Sequence, residues 1–175
     1  MTRGTKPGRV QQQWTNLAVE ELIRCGVDYF CLAPGSRSTP LSLAVAANPR
    51  GRHFVHLAER SLAFHALGYA AARKGGVALM TTSGTAVANM LPAVIEAAKK
   101  KLPLVIITAD RPIELRQTGA NQTIAQPGIF GPYVRWEVDL GVATAAVDPA
   151  FVLTTIDQAV FRSQGELPGP VHVNW

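Results

Sequence analysis

The sequence predicts an α/β protein built as a three-layer, doubly wound sheet of about six parallel strands. Short apolar runs alternate along most of the chain with longer stretches of helical period, the rhythm of repeated βαβ units. Several of those runs, such as "LPLVIITA", are continuously apolar, as a parallel strand covered on both faces requires. With 47% hydrophobic and 17% charged residues over 175 positions, the chain has the apolar content for one sizeable core.

The elements follow in order. "QWTNLAVEELIRCG" places Leu17, Ala18, Leu22 and Ile23 at helical spacing, with Gly26 positioned to end the helix. "DYFCLA" reads as a first strand. "GSRSTPLSLAVAANPRG" carries Ser and Thr ahead of Pro40, a helix start, and Asn48-Pro49 as a stop. "HFVHLA" reads as a second strand, and Glu59 to Lys74 as a helix ended by Gly75-Gly76. "VALMTT" is a third strand. The helix over "SGTAVANMLPAVIEAAKKK" should kink or divide at Pro92. "LPLVIITA" is the fourth strand.

After Asp110 the rhythm stops. Residues 111–133 are polar, rich in Gly and Pro and without a period, and a loop of that length in a compact domain is usually functional or disordered. A short strand near "WEVDL", a helix over "PAFVLTTIDQAVFRSQG" and a last strand "PVHVNW" complete the series. There are no internal repeats. Residues 1–175 read as one domain, and the absence of a closing element after Trp175 gives the expectation of an N-terminal piece of a longer chain.

The net charge of +5 does not point to nucleic acid, because the one basic run, Lys99 to Lys101, closes a helix where positive charge meets the negative end of its dipole. No apolar run is long enough for a membrane span, and the N-terminus lacks the apolar core of a signal peptide, so the cytoplasm is the expected location. Cys25 and Cys31 read as reduced thiols, and no His, Cys or carboxylate set has metal-ligand spacing. His53 and His56 should face opposite sides of a strand, and His65 reads as an ordinary satisfied histidine.

Ligands of open α/β sheets bind beyond the carboxyl ends of the strands. Those positions hold Gly35, Ser36, Arg37 and Ser38 after the first strand, Glu59 after the second, Ser83, Gly84 and Thr85 after the third, and Asp110 and Arg111 after the fourth. Each has a plainer reading. Ser36, Ser38 and Thr39 are also helix-capping types, Glu59 suits a helix dipole, and Asp110-Arg111 suits a salt-bridged turn. Four such turns at one edge favour a site. Glu59 stands out because no other Asp or Glu occurs between Asp28 and Glu96.

Four blocks, "APGSRSTPL" (33–41), "AERSLAFHALGYA", "TTSGTAVANMLPAVIEA" and "TADRPIELRQTGANQTIAQPGIF", resemble the N-terminal segment of the 2-succinyl-5-enolpyruvyl-6-hydroxy-3-cyclohexene-1-carboxylate synthases, thiamine-diphosphate-dependent enzymes of menaquinone biosynthesis. The likeness runs from Trp14 to Trp175. It implies a thiamine-diphosphate-binding fold and a pyrimidine-binding domain within a transferase. By that resemblance Glu59 is the carboxyl group that bonds the cofactor's aminopyrimidine and favours its imino tautomer, which then deprotonates the thiazolium carbon. A carboxyl in apolar surroundings, kept protonated by burial, suits the task. Ser83, Gly84, Thr85 and Asn89 are implied cofactor contacts. Ser36, Arg37, Arg111, Asn121 and Gln122 are implied contacts of isochorismate, with 2-oxoglutarate as the second substrate. Loop 111–133 is then a substrate-binding segment.

The GDG motif that holds the diphosphate through Mg2+ in such enzymes is absent from these 175 residues. The resemblance places it in a later domain and completes the site with the diphosphate-binding domain of a second subunit, in a dimer or tetramer. The isolated chain is therefore expected to be inactive. A stand-alone pyrimidine-domain subunit of another thiamine-diphosphate decarboxylase or carboligase, and a non-catalytic binding domain of the same fold, remain the alternatives.

Overall fold

The computed structural model describes residues 7–175. A six-stranded, wholly parallel sheet in the order β2-β1-β3-β4-β6-β5 lies between two layers of helices. The strands are β1 (Tyr29–Leu32), β2 (Arg52–Val55), β3 (Val77–Thr81), β4 (Leu104–Thr108), β5 (Glu137–Asp139) and β6 (Val171–Asn174). The helices are α1 (Pro7–Arg24), α2 (Thr39–Ala47), α3 (Glu59–Arg73), α4 (Thr85–Ala88), α5 (Leu91–Lys100) and α6 (Ala150–Gln164).

The period-2 side-chain alternation divides the core into two. Phe30, Leu32, Ala78, Met80, Val105, Ile107, Val171 and Val173 face α1, α2 and α6. Cys31, Val77, Leu79, Leu104 and Ile106 face α3 and α5. Because β3 and β4 are buried on both faces, their sequences are continuously apolar. The chain moves from β1 to the β2 edge, returns to β3 and proceeds the other way to β4. That reversal puts a topological switch point, where ligands gather, between β1 and β3.

Local departures from the sequence reading have physical causes. Helix α1 is already helical at Pro7, the first described residue, six residues ahead of the quoted run. The predicted division at Pro92 occurs: α4 ends at Ala88 and α5 starts at Leu91, with Pro92 in its first turn. Lys74, not a glycine, takes the left-handed position that ends α3 (φ 52°). The capping reading of the first turn is corrected. Ser38 is the cap residue by position, but its hydroxyl accepts from no helix amide and donates backwards to Ala33 O (3.4 Å) and Gly35 O (3.1 Å). Thr39 also donates to Gly35 O, at 3.2 Å, so these side chains shape the turn after β1.

Candidate functional site

The carboxyl ends of the strands form one edge on which the sequence-predicted residues stand in sheet order. Glu59 follows β2, Ser36 and Arg37 follow β1, Ser83 to Thr85 follow β3, and Asp110 and Arg111 follow β4. The β2 and β4 ends are three strand spacings apart, about 14 Å. Turns β1 and β3 meet tightly, since a side chain on Gly35 would place its Cβ 2.3 Å from Thr82 Cβ. Only glycine allows that approach.

Arg37 and Arg111 come together in a cavity of about 190 Å³, bounded also by Gln11, Asp110, Arg116 and Trp175. Asp110 is already engaged: it accepts from Arg111 N (2.6 Å) and Asn174 Nδ2 (2.9 Å), and Arg116 Nε lies 3.1 Å away. Arg37 has no ion pair among the described residues. Arg111 donates one Nη to Asn121 O at 2.7 Å, while its Nε is buried without a partner. A buried guanidinium donor left unpaired carries a desolvation cost that an anionic ligand removes. A cavity with these donors has the charge and geometry to receive a carboxylate or similar anion.

The second assembly joins the turn after β3 to loop 111–133. Ser83 Oγ donates to Gln122 O (2.9 Å), and Gln122 Nε2 donates back to Ser83 O (3.0 Å). Gly84 N donates to Gln126 Oε1 at 2.9 Å. Gly84 has φ 85°, and a Cβ there would lie 2.9 Å from Gln122 Cγ, so both backbone and space require glycine. The side chain of Gln122 is thus committed through its Nε2 to the β3 turn.

The structure leaves the other predicted residues more open. Thr85 at the start of α4 and Asn89 just past its end are exposed, and Ser36 and Asn121 are exposed in their loops. Glu59 is half-buried in the first turn of α3, with Leu57 beside it 92% exposed. The apolar, buried surroundings expected for Glu59 are not supplied by the described residues. The cause is its position at the edge strand β2, whose four residues are all exposed.

A network that the sequence reading did not identify roots the loop. Arg116 forms a two-armed contact with Asp139 (2.5 and 3.0 Å) and donates Nε to Arg111 O (2.9 Å). That hydrogen bonding holds the Asp139 carboxyl below its ordinary pKa, against the opposing effect of burial. Asn174, fully buried, donates to Asp110 and Asp139 and accepts from Thr108 Oγ1 (2.9 Å) and Gln126 Nε2 (2.8 Å). His172 Nε2 and Thr108 Oγ1 share a 2.7 Å bond. His172 Nδ1 lies 3.3 Å from Glu137 Oε1 without making a hydrogen bond. The available signal was the polar His172 and Asn174 in the otherwise apolar run "PVHVNW", since buried polar groups need partners.

The remaining candidates resolve into structure. His65 Nε2 pairs with Tyr29 Oη at 2.9 Å, and its ring meets His56 edge-on. Burial and then His65 push the His56 pKa down. Glu21, Cys25 and Asp157 do converge within 4.8 Å, which their sequence spacing did not reveal. Burial, followed by the two acids, pushes the Cys25 thiol up to about 11, and burial pushes Cys31 to about 12, so both are protonated at neutral pH. Among the described residues no helix is long and apolar enough to cross a membrane.

Residues 13–129 match the family model described as thiamine pyrophosphate enzyme, N-terminal TPP binding domain. The chain is 61% identical to a protein of Rubrobacter xylanophilus over 95% of its own length and 29% of that protein's. It is 56% identical to one of Salinibacter ruber, covering 92% of the chain and 27% of that protein. It is 53% identical to one of Chlorobaculum parvum, covering 92% and 28% respectively. All three relatives are named 2-succinyl-5-enolpyruvyl-6-hydroxy-3-cyclohexene-1-carboxylate synthase. The chain spans less than a third of their length.

Proposed function

The chain belongs to the thiamine pyrophosphate enzyme family, N-terminal TPP binding domain, and on that premise we propose that it is the pyrimidine-binding domain of a 2-succinyl-5-enolpyruvyl-6-hydroxy-3-cyclohexene-1-carboxylate synthase. The observation that carries the reading is the cavity where Arg37 and Arg111 face one space with a buried Arg111 Nε unpaired. Isochorismate is a dicarboxylate, and a guanidinium fork matches a carboxylate with two parallel bonds. Arg37 and Arg111 bind that substrate, with Ser36, Asn121 and Gln122 as further contacts from the adjoining loops. Loop 111–133 is the substrate-binding segment of this single domain.

The residues present fit the pyrimidine end of thiamine diphosphate. Glu59 lies at the carboxyl edge with no ion pair or hydrogen bond to its carboxylate among the described residues. Ser83, Gly84, Thr85 and Asn89 complete the cofactor contacts on the turn and short helix after β3. When bound, thiamine diphosphate supplies the nucleophilic carbon through which 2-oxoglutarate is decarboxylated and its succinyl unit is carried to isochorismate. Glu59 would present its carboxyl group to the pyrimidine ring nitrogen and fix the tautomer of that ring.

Magnesium does not fit this chain's clustered ligands. The Glu21, Cys25 and Asp157 group includes a protonated thiol, whereas Mg2+ takes oxygen ligands. The reading assigns the diphosphate and its Mg2+ to the diphosphate-binding domain of a second subunit in a cytoplasmic homo-oligomer, dimer or tetramer. That domain also covers the exposed apolar residues around Glu59, so the chain alone does not turn over.

The test is Arg111→Lys in the complete protein. Loss of the planar fork raises KM for isochorismate about 10- to 100-fold while KM for 2-oxoglutarate stays within about twofold. An unchanged KM for isochorismate contradicts the assignment.

A further inference from the structure

We infer that Gln126 is a positioning residue that couples the substrate-binding loop to the cofactor-binding turn, so that each ligand tightens the binding of the other. The inference rests on the functional reading above and assigns to the same site a coupling element in its supporting shell.

Gln126 is fully buried although its amide is polar, so its bonds must account for it. It makes three, each to the end of a different strand. Its Oε1 accepts from Gly84 N after β3 (2.9 Å). Its Nε2 donates to Ala109 O after β4 (3.2 Å) and to Asn174 Oδ1 at the end of β6 (2.8 Å). One side chain of the loop therefore ties down both the turn that faces the cofactor and the strand ends behind the arginine cavity. Asn174 continues the connection to Asp110 Oδ2, whose other oxygen accepts from Arg111 N. The path from Gly84 to Arg111 runs Gly84, Gln126, Asn174, Asp110, Arg111, through hydrogen bonds alone.

Two shallower bonds run in parallel, the reciprocal pair between Ser83 and Gln122. They lie nearer solvent, whereas the Gln126 bonds are buried, where a missing partner is costly. Gln122, a non-glycine residue, holds φ 57°, a left-handed conformation that its bonds to the β3 turn help to impose. Ordering the turn therefore orders the loop. A ligand that immobilises one side removes part of the ordering cost met by a ligand on the other, which is positive coupling without any large rearrangement. By linkage the effect is reciprocal. Gln126 is fully buried and acts through Gly84 and Asn174.

The experiment measures the Kd of thiamine diphosphate for the complete protein, with Mg2+, in the absence and in the presence of saturating isochorismate. 2-Oxoglutarate is omitted to prevent turnover. Wild type is expected to show tightening of about 5- to 20-fold. Gln126→Met, which keeps the volume and removes all three bonds, is expected to reduce that tightening to less than about twofold. Gln126→Glu keeps an acceptor for Gly84 N and is expected to retain more of the coupling than methionine does. Should Gln126→Met fail to fold by circular dichroism, Gln126→Asn, one methylene too short to span Gly84 and Asn174 together, takes its place with the same expectation. A merely structural role lowers stability or weakens both ligands and leaves the tightening ratio unchanged. An unchanged ratio in a folded variant, or no tightening in wild type that binds both ligands, overturns the inference. Wild type that binds neither ligand overturns the functional reading, and the inference with it.

Discussion

At one end of the sheet's carboxyl edge, loop 111–133 is fastened by hydrogen bonds and ion pairs to groups at the ends of β4, β6 and β5. At the other, β2 leaves Phe54, Val55 and Leu57 to solvent beside Glu59. The first end is bonded within the chain. Asp110, Asn174 and Gln126 are all buried, and Arg116 binds two carboxylates at once. The second end has its proposed functional carboxyl but not the surroundings that would tune it. On the proposed reading, the arginine cavity and its supporting bonds lie within one chain, while the environment of Glu59 comes from another surface.

The contrast breaks first at Arg116. Its side chain is 17% exposed and faces Asp110, which is 1% exposed. Arg116→Met leaves that buried carboxylate without its cation and is expected to cost about 3 kcal/mol of stability, read from urea unfolding. A cost below about 0.5 kcal/mol would mean that the loop is not rooted there.

The same variant also changes the acid limb. The Asp139 pKa is depressed, chiefly by Arg116, so its contribution is present above the ordinary aspartate value of about 4 and is lost as pH falls through the lower folded value. Wild type should therefore lose stability on acidification below about pH 4, and Arg116→Met should lose less over that interval.

The opposite end sharpens the comparison by its lack of effect. Leu57 is 92% exposed, so Leu57→Ser should alter the thermal unfolding free energy of this chain by no more than about 0.5 kcal/mol. In the complete protein the same change should lower turnover, because the exposed patch is where the diphosphate-binding domain is proposed to seat. Unimpaired turnover would separate that patch from the assembly.

The division also explains how much was legible in the sequence. Strand order cannot be read from apolar runs, but the strands themselves and their turns can, because burial on both faces forces β3 and β4 to be continuously apolar. Arg37 and Arg111 could be named together once strand ends were taken as neighbours. Gln126 and Arg116 could not. They lie in an aperiodic loop, and their partners Asn174 and Asp139 are far along the chain, so nothing local marks them. Ser38 misled for a related reason. A hydroxyl before Pro40 suits a cap, yet the close packing of Gly35 on Thr82 turns the chain so that Ser38 bonds backwards. For Glu59, sparse acidic neighbours in sequence did not amount to burial in space, since β2 is an edge strand.

The central claim is that Glu59 is the working carboxyl of a half-site completed by a second domain. Its most direct test is the steady-state rate of Glu59→Gln in the complete protein, with isochorismate and thiamine diphosphate binding measured on the same preparation. The account predicts a loss of about 10²- to 10⁴-fold in kcat, with isochorismate affinity and the unfolding midpoint close to wild type. A kcat equal to that of wild type would contradict it.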